Sequence, residues 1–490
     1  MFVKLEGKGV LYQQLYHALR RAILTGALAP GARLPSTRTF AHELGVSRNT
    51  VLLAYDQLLA EGYAVGHTGS GTYVASTLPD VMLSPPQPLA STRNDTATPL
   101  PPLSVYGKRL MGSTPHTTPG LFQHSYTLRY DFRYGVPAVE EFPHSLWRRL
   151  LARRVRAASL DSLHYGPPEG YGPLREAIAG YLRRARGVVC HADQVLVVNG
   201  SQQALDLTAR VLLDAGDGVV IEEPHYQGAR QVFLAAGARL LTVPVDAEGL
   251  QVAALPDAAA GARLAYVTPS HQFPSGAIMS LARRLGLLAW AERVGAYIIE
   301  DDYDSEFRYT GRPVEALQGL DRSGRVIYVG TFSKVLFPAL RLGYVVLPPA
   351  LGRVYAAAKW LADRHTSSFE QEVLTDFIDE GHFERYLRRS RTRNAMRRET
   401  LLEALAEHLG RRVAVSGANA GMHLLVWLHD IAPTALEALI ARAAQAGVGL
   451  YSITPYYLAP PQQAGLLLGY TSMTPGTIRA GIRRLATLLE

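Results

Sequence analysis

Apolar side chains recur at helical spacing along the first 75 residues of the chain. Between residues 10 and 25 a leucine or isoleucine returns every four positions, which predicts one amphipathic helix. Ser36 and Ser47 stand where each can cap a further helix, and Gly62 follows the end of the last one. Two short apolar runs around a glycine-rich turn then predict a β-hairpin that ends at Val74.

A different pattern, in which strands and helices alternate, occupies the chain from residue 131 onwards. Continuous apolar runs have the length and composition of buried parallel strands, and helical patterns at 201–213 and 281–294 lie between them. This alternation predicts a doubly wound α/β domain. The apolar runs lie at 194–198, 218–221, 264–268, 297–300 and 326–329.

A proline-rich stretch separates these two patterns. Nine prolines lie between Leu78 and Gly120 among Ser, Thr and Asn, without sustained periodicity. Such a composition is typical of a partly extended linker. The sequence therefore predicts a helical unit over residues 1–76, a linker over 77–125 and an α/β domain over 126–490.

Composition narrows the class of protein. With 48% hydrophobic and 19% charged residues the chain can bury a large core. A net charge of +8 suits an acidic partner, although this charge is spread over 490 residues. The single cysteine excludes an internal disulfide framework, and no stretch has the apolar length of a signal peptide or a membrane span. We therefore expect a soluble cytoplasmic protein that does not enter a membrane.

The first turn of the third predicted helix combines side chains suited to DNA. In a winged helix-turn-helix this helix enters the major groove with its N-terminal residues nearest the bases. Arg48 can pair with guanine and Asn49 with adenine, while hydroxyl groups can meet phosphates. Taken singly, each residue is equally compatible with a helix cap or a solvated charge. The candidate DNA contacts are Arg38, Ser47, Arg48, Asn49, Thr50 and, in the wing, Thr68.

The stretch LPSTRTFAHELGVSRNTVLLAYDQLLAEGYAVGHTGSGTYV, at residues 34–74, resembles the DNA-binding domain of the GntR superfamily. The resemblance covers essentially the whole domain and implies a double-stranded DNA operator as partner. It places Gly69 at the tip of the wing. The residues in DNA-contacting places are Arg38, Ser47, Arg48, Asn49 and Thr50.

Lysine is scarce in this chain, with five lysines against 45 arginines. Lys334 follows the predicted strand at 326–329, and side chains at that end of a parallel strand face the crevice where α/β proteins bind ligands. Arg341 and the hydroxyls of Thr331 and Ser333 can hold a phosphate beside it. The alternative is a surface lysine near a surface arginine.

A second set of candidates follows the strand at 297–300. Asp301 can keep a ring nitrogen protonated, and Tyr303 can bond to a ring hydroxyl. The alternative is an acidic loop or a divalent-metal site, but no compact His and Asp ligand spacing accompanies it, so no metal is expected. Backbone amides at a helix start can bind phosphate, and an aromatic side chain can stack on a ring or belong to the core. The candidates of these last two kinds are Ser201, Gln202 and Tyr226.

Together these residues meet the needs of pyridoxal 5'-phosphate, which requires a lysine, an anion beside the pyridine nitrogen, a phosphate cradle and a flat contact. Four segments resemble the fold-type I aminotransferases. With the GntR-like domain in front, the chain resembles the MocR/GabR-type transcriptional regulators, which include PdxR-type regulators of vitamin B6 synthesis. The segments are YGPPEGYGPLREAIAGYL, NGSQQALDL, EDDYDSEFRY and TFSKVLFPALRLGY.

The resemblance assigns roles to individual residues. It implies that Lys334 forms an internal aldimine with pyridoxal phosphate and that Asp301 pairs with the pyridine nitrogen. It also implies that Tyr165 reaches the phosphate of the neighbouring subunit's cofactor. The assembly it implies is a homodimer, head-to-tail with domain swapping, in which each DNA-binding domain packs on the partner chain.

Two positions depart from the aminotransferase pattern. Phe273-Pro274 stands where aminotransferases carry Asn-Pro, a change that MocR-type regulators share. Leu467 stands where an arginine normally receives a substrate α-carboxylate, and Arg479 in the last predicted helix is a poorer substitute. We therefore expect at most residual transaminase activity.

Three functions remain compatible with the sequence. The first is a DNA-binding regulator whose aminotransferase-like domain senses pyridoxal phosphate itself, or an amino acid or amine, through an aldimine. The second is an active aminotransferase with an accessory DNA-binding domain, against which Leu467 argues. The third is a regulator that uses the α/β domain only for dimerisation, against which Lys334 and Asp301 argue.

Overall fold

Two compact units make up the protein. Contacts divide the chain into Met1–Pro101 and Pro102–Glu490, so the division falls within the predicted linker. The computed structural model describes residues 9–67, 70–78, 101–112, 128–160, 163–255, 257–311 and 315–489, with the backbone alone at 257 and 258.

The described part of the N-terminal unit contains three helices and one hairpin, as predicted. Its elements are α1 (Leu11–Leu24), α2 (Thr37–Leu44), α3 (Arg48–Ala60) and the antiparallel strands β1 (Ala64–His67) and β2 (Gly71–Val74). Ser36 caps α2 and Ser47 caps α3, each through a hydroxyl that accepts a backbone hydrogen bond at 3.1 Å. The predicted winged helix-turn-helix is confirmed.

An apolar core joins these elements. Leu15, Leu19 and Ile23 of α1 are buried in one cluster with Val51 and Leu58 of α3. The four-residue spacing that predicts α1 is therefore the spacing of its core face. This packing leaves the first turn of α3 at the surface, where Arg48 is exposed.

An eight-stranded sheet forms the centre of the C-terminal unit. Its spatial order is β4 (Val195–Val198), β11 (Gly343–Val346), β10 (Val326–Thr331), β9 (Tyr297–Asp302), β8 (Ala262–Val267), β5 (Gly218–Glu223), β6 (Arg239–Asp246) and β7 (Gly249–Leu250). The five predicted apolar runs are strands of this sheet. The sheet is not wholly parallel, because β11 runs antiparallel to β10 and β4, and β7 antiparallel to β6.

Helices cover both faces of the large sheet. Val195 and Val197 of β4 belong to one core cluster, whereas Leu196 and Val198 belong to another. Residues that point to opposite faces of the sheet are therefore both buried, as a doubly wound α/β domain requires. The helices of this part are α4 (Val105–Gly112), α5 (His144–Ala157), α6 (Gly172–Arg186), α7 (Ser201–Leu212), α8 (Gln227–Ala236), α9 (Leu281–Val294), α10 (Leu317–Leu320), α11 (Gly352–Asp363) and α12 (Ser368–Asp379).

A smaller antiparallel sheet completes the C-terminal unit. Its spatial order is β12 (Val413–Ser416), β13 (His423–Leu428), β16 (Ala464–Gly469) and β15 (Tyr451–Ser452). Leu424 and Leu468 pack in one core with Leu401 of a long helix. The remaining elements are the parallel pair β3 (Tyr130–Asp131) and β14 (Val448–Gly449) and the helices α13 (His382–His408), α14 (Leu436–Gln445) and α15 (Pro475–Leu489).

Part of the predicted linker is helical, since α4 lies inside residues 77–125. Arg109 of α4 donates a hydrogen bond to the carbonyl oxygen of Ala236 at 3.1 Å, at the end of α8. This segment therefore packs on the α/β domain.

None of the helices in the described ranges has the length and apolar composition needed to cross a bilayer.

Candidate cofactor site and nucleic-acid interface

Lys334 lies at the carboxyl end of the large sheet, three residues after β10. Its Nζ donates a hydrogen bond to the carbonyl oxygen of Gly135 at 2.9 Å. Burial lowers the pKa of the Lys334 amine, while the charges of Asp304 and Asp301 act in the opposite direction. An amine that loses its proton more easily is a better nucleophile toward an aldehyde.

Lys359 has a different setting, in a structural ion pair on α11. Its Nζ lies 2.5 Å from Oδ1 of Asp363. The other oxygen of Asp363 accepts hydrogen bonds from the side chains of Asn199 and Gln203 at 2.6 and 2.8 Å. Lys359 is thus neutralised by a carboxylate that also anchors Asn199.

Asp301 is the last residue but one of β9, which lies parallel to and beside β10, the strand that leads to Lys334. Tyr266 donates a hydrogen bond to Oδ2 of Asp301 at 2.8 Å. The second oxygen, Oδ1, is buried and has no hydrogen-bond partner in the described part of the chain. Burial raises the pKa of Asp301 to about 7, against the lowering effects of Tyr266 and Lys334. A protonated ring nitrogen fits this site, since it supplies the missing donor and the compensating charge.

A glycine and an arginine meet where β4 leads into α7, in an arrangement that could hold a phosphate. Gly200 precedes the helix with a φ of +83°, and a Cβ on it would lie 2.8 Å from the guanidinium of Arg341. Arg341 donates a hydrogen bond to the carbonyl oxygen of Asn199 at 2.7 Å. Glycine therefore lets the guanidinium approach the helix start, where the backbone amides of Ser201 and Gln202 also lie.

Thr331 at the end of β10 and Ser333 in the turn after it carry two further hydroxyl groups. Oγ1 of Thr331 accepts a hydrogen bond from the backbone of Ser333 at 3.1 Å. Oγ of Ser333 is buried and has no hydrogen-bond partner among the described residues. The side chain of Gln202 is engaged within the protein, since it donates to the carbonyl oxygen of Gly228 at 3.1 Å. An unpartnered buried hydroxyl can donate a hydrogen bond to a phosphate oxygen.

Two tyrosines and a phenylalanine form the flat surfaces near these groups. The rings of Tyr226 and Phe273 meet edge-to-face at 5.9 Å, and those of Phe273 and Tyr303 at 5.8 Å. Burial raises the pKa of Tyr226 to about 12, so its hydroxyl keeps its proton. Oη of Tyr303 lies 2.9 Å from Nδ1 of His271.

Leu467 lies in an apolar environment in the middle of β16. It is fully buried and pairs in register with Leu425 of β13. Arg479 does not replace it, because this half-exposed side chain on α15 pairs with Glu403 at 3.2 Å. The core cluster around Leu467 consists of Tyr134, Phe273, Leu425, Ile453 and Tyr456.

Tyr165 projects from the protein, with 86% of its surface exposed. Its ring meets that of His365 edge-to-face at 5.9 Å, just after α11. Other exposed apolar side chains of this region belong to Leu160, Leu163, Trp360 and Leu361.

Arg48 and Asn49 are exposed in the first turn of α3, and Arg38 is exposed on α2. Nε of Arg48 donates a hydrogen bond to Oγ1 of Thr37 at 3.3 Å, which directs the guanidinium toward α2. These side chains have the placement of a major-groove reading surface.

The hydroxyl of Ser47 caps α3 by accepting from the backbone of Thr50, and it lies 2.8 Å from the hydroxyl of Thr50. The wing candidates Thr68 and Gly69 lie outside the described residues.

The sequence did not assign a role to Gly135, Tyr266 or Asn199, although each contacts a candidate residue. Tyr266 lies in the apolar run of β8. Its hydroxyl could be connected with Asp301 only once β9 is known to lie beside β8. Asn199 directly precedes Gly200, so its position beside the helix start was the one available signal.

Comparison with known proteins identifies both units. The family described as aminotransferase class I and II matches residues 140–485, and the bacterial regulatory proteins of the gntR family match residues 11–74. LysN, an α-aminoadipate aminotransferase from Thermus thermophilus, superimposes with a TM-score of 0.70 at 32% identity, covering 79% of this chain and 97% of that one. The predicted fold-type I architecture is confirmed.

Full-length relatives combine the same two domains. The probable rhizopine catabolism regulatory protein MocR of Rhizobium meliloti is 42% identical over 97% of this chain and 93% of its own length. The pyridoxine biosynthesis transcriptional regulator PdxR of Corynebacterium glutamicum is 30% identical over 95% of this chain and 93% of its own length. The chain therefore belongs to the MocR-type helix-turn-helix transcriptional regulators, in which a GntR-type DNA-binding domain precedes an aminotransferase-like domain.

Proposed function

We propose that this transcriptional regulator binds pyridoxal 5'-phosphate and that occupancy of this site sets its affinity for an operator. The observation that carries the proposal is the buried, unpartnered Oδ1 of Asp301 on the strand next to Lys334, within the described part of the chain. A buried carboxylate oxygen without a donor is costly unless a ligand supplies one.

Each side chain of the site has a distinct task in this proposal. Bound pyridoxal phosphate supplies an electron-withdrawing ring and an aldehyde that primary amines attack. The amine of Lys334 holds that aldehyde, and Asp301 accepts a hydrogen bond from the protonated ring nitrogen. Tyr226 lies against the ring, and the hydroxyl of Tyr303 contacts the ring oxygen. The phosphate is held by Arg341, Thr331, Ser333 and the backbone amides of Ser201 and Gln202.

Leu467 supports the cofactor itself as the signal. A carboxylate in a buried site requires a desolvated cationic partner, and the core cluster around Leu467 is aliphatic and aromatic. The relative PdxR is named for pyridoxine biosynthesis, which agrees with this proposal. An amine or an amino acid is the second candidate for the effector.

An active aminotransferase remains the rival function. The 2-aminoadipate transaminase of Thermus thermophilus is 34% identical over 73% of this chain. Leu467 argues against the rival, since it offers no charge to an α-carboxylate. An assay of amino-group transfer from a panel of amino acids to 2-oxo acids decides between them, and turnover at an ordinary enzymatic rate favours the rival.

The assembly that we propose is a head-to-tail homodimer in which Tyr165 reaches the phosphate of the partner's cofactor. Its support is the exposed apolar surface of Tyr165, Leu163 and Leu361, of a kind that marks interaction sites. Light scattering is expected to give twice the 53.4 kDa of one chain.

In this proposal the first turn of α3 and the wing make the contacts with DNA. We propose that Arg48 and Asn49 contact base edges, and that Arg38 and the hydroxyls of Ser47 and Thr50 meet phosphates. Thr68 and Gly69 are proposed for the wing contact.

Visible absorption of the purified protein tests the cofactor part of the proposal. We expect a band that pyridoxal phosphate restores after dialysis against an amine, with one cofactor bound per chain. Protein that stays colourless at saturating pyridoxal phosphate would refute it and leave the α/β domain as a dimerisation module.

A further inference from the structure

A buried polar cluster lies beside the candidate cofactor site. Nδ1 of His271 is 2.9 Å from Oη of Tyr303 and 2.9 Å from Oδ2 of Asp304. His271 follows β8, whereas Tyr303 and Asp304 follow the neighbouring strand β9. Neither His271 nor Asp304 was assigned a role from the sequence alone.

The fold accommodates the imidazole of His271 closely. Gly421 has a φ of +82°, and a Cβ on it would lie 2.1 Å from Cε1 of His271. His271 is 2% exposed and Asp304 is 1% exposed. Nε2 of His271 is buried and has no hydrogen-bond partner within the described residues. The imidazole therefore makes its polar contacts through Nδ1.

The direction of these hydrogen bonds follows from the carboxylate. A carboxylate only accepts, so Nδ1 of His271 carries a proton and donates it toward Asp304. A protonated Nδ1 cannot accept from Tyr303, so the phenol oxygen can take only a share of the same proton. Burial and the charge of Asp304 also raise the pKa of the Tyr303 phenol, so the phenol keeps its proton. Because Nδ1 of His271 already donates to Oδ2 of Asp304, we infer that this proton is available to a ligand oxygen.

A phenyl ring and a second imidazole border the cluster on the imidazole side, while Asp301 and Glu222 act on the phenol of Tyr303 through their charges. Phe273 meets Tyr303 edge-to-face and carries no polar atom on its side chain. His423 of β13 faces His271 with ring centroids 5.5 Å apart, and burial lowers its pKa to about 3, so it is uncharged. On the opposite side, Asp304 feels the charges of Asp302 and Lys334.

We propose that His271, held by Asp304, is a positioning residue that directs the hydroxyl proton of Tyr303 onto the ring oxygen of pyridoxal phosphate. This inference rests on the proposed function, because it requires the cofactor in the site. A hydrogen bond to that oxygen withdraws negative charge from it. Loss of the bond leaves more negative charge on the ring oxygen. That charge raises the pKa of the protonated nitrogen through which Lys334 holds the cofactor.

The test is a pH titration of the visible absorption band in the full-length protein loaded with pyridoxal phosphate. His271→Leu is expected to raise the midpoint by about one pH unit, as loss of one hydrogen bond to a charged oxygen predicts. His271→Asn keeps an N–H donor near the position of Nδ1 and is expected to keep the wild-type midpoint. Tyr303→Phe is expected to raise the midpoint at least as far, and His271→Leu should add nothing in that background.

Each outcome decides the proposal. An unchanged midpoint in His271→Leu overturns it, and so does an equal shift in His271→Asn, which would indicate packing alone. Should His271→Leu fail to fold, His271→Met also removes the N–H donor and is expected to raise the midpoint too. Wild-type protein without any visible band would refute the proposed function and the role of His271 with it, whereas a normal wild-type band with an unchanged midpoint in His271→Leu would refute the role of His271 alone.

Discussion

Tyr266 donates its hydroxyl proton to one oxygen of Asp301 at 2.8 Å and leaves the other oxygen buried, without a donor among the described residues. The two residues belong to β8 and the end of β9, so the sheet itself holds them together. The carboxylate of Asp301 therefore keeps one oxygen free to accept a hydrogen bond in the crevice beside Lys334.

Removal of the Tyr266 hydroxyl tests this preparation. Tyr266→Phe is expected to weaken binding of pyridoxal phosphate about tenfold, because a hydrogen bond to a charged group stabilises it by about 1.5–3 kcal/mol. Spectral titration of dialysed protein measures the affinity. Tyr328→Phe, a change of another buried tyrosine on the sheet, is the matched control, and equal losses in both variants would contradict a specific role for Tyr266.

The raised pKa of Asp301 also predicts that the stability of the cofactor-free protein depends on pH. Its pKa is about 7 in the folded protein against an ordinary value of 3.8, so folding retains a proton that the unfolded chain releases. Its contribution to stability therefore falls as the pH rises from about 4 to about 7. Asp301→Asn is expected to raise the melting temperature at pH 8 and to change it little at pH 4. Equal effects at both pH values would contradict the raised pKa.

Lys334 is expected to carry the cofactor. Borohydride reduction of the loaded protein followed by peptide mapping should place the label on Lys334, since Lys359 is held in its ion pair with Asp363. Lys334→Arg keeps the charge but cannot form the bond, so this variant should remain unlabelled. A label on Lys359 would refute the assignment of the site.

Arg48 is expected to contribute sequence specificity. Arg48→Ala should cost about 1–3 kcal/mol of operator binding and leave non-specific binding nearly unchanged. Arg48→Lys keeps the charge without the guanidinium fork, so it should lose most of the same specificity. Competition binding with operator and scrambled duplexes at fixed salt measures both. Equal weakening on both duplexes would make Arg48 a phosphate contact.

Local patterns predicted the elements and the ends of the strands. The serine caps of α2 and α3, the spacing of leucines in α1 and the apolar runs of the sheet each depend on neighbours within a few residues. Lys334 and Asp301 were predictable for the same reason, because each lies within five residues after a strand pattern in the sequence.

Long-range contacts were beyond the reach of these patterns. Gly135 meets Lys334 across 199 positions of the chain, and Tyr266 meets Asp301 across 35. The antiparallel insertion of β11 next to β10 was not predicted either, since a run of four apolar residues does not show strand direction. These relationships exist only once the sheet order is known.

The most direct test of the central claim is operator affinity of the dialysed protein with and without pyridoxal phosphate. The operator is first selected from genomic fragments that the protein enriches, and a panel of amino acids and amines is then added in turn. If the cofactor itself is the signal, its affinity must differ between the DNA-bound and the DNA-free states of the protein. We expect pyridoxal phosphate alone to change operator affinity about tenfold in the wild type and to have no effect in Lys334→Ala. An affinity that stays constant until one amino acid is added would contradict the claim and would direct attention to Arg230, one turn after Tyr226, as the partner of its carboxylate.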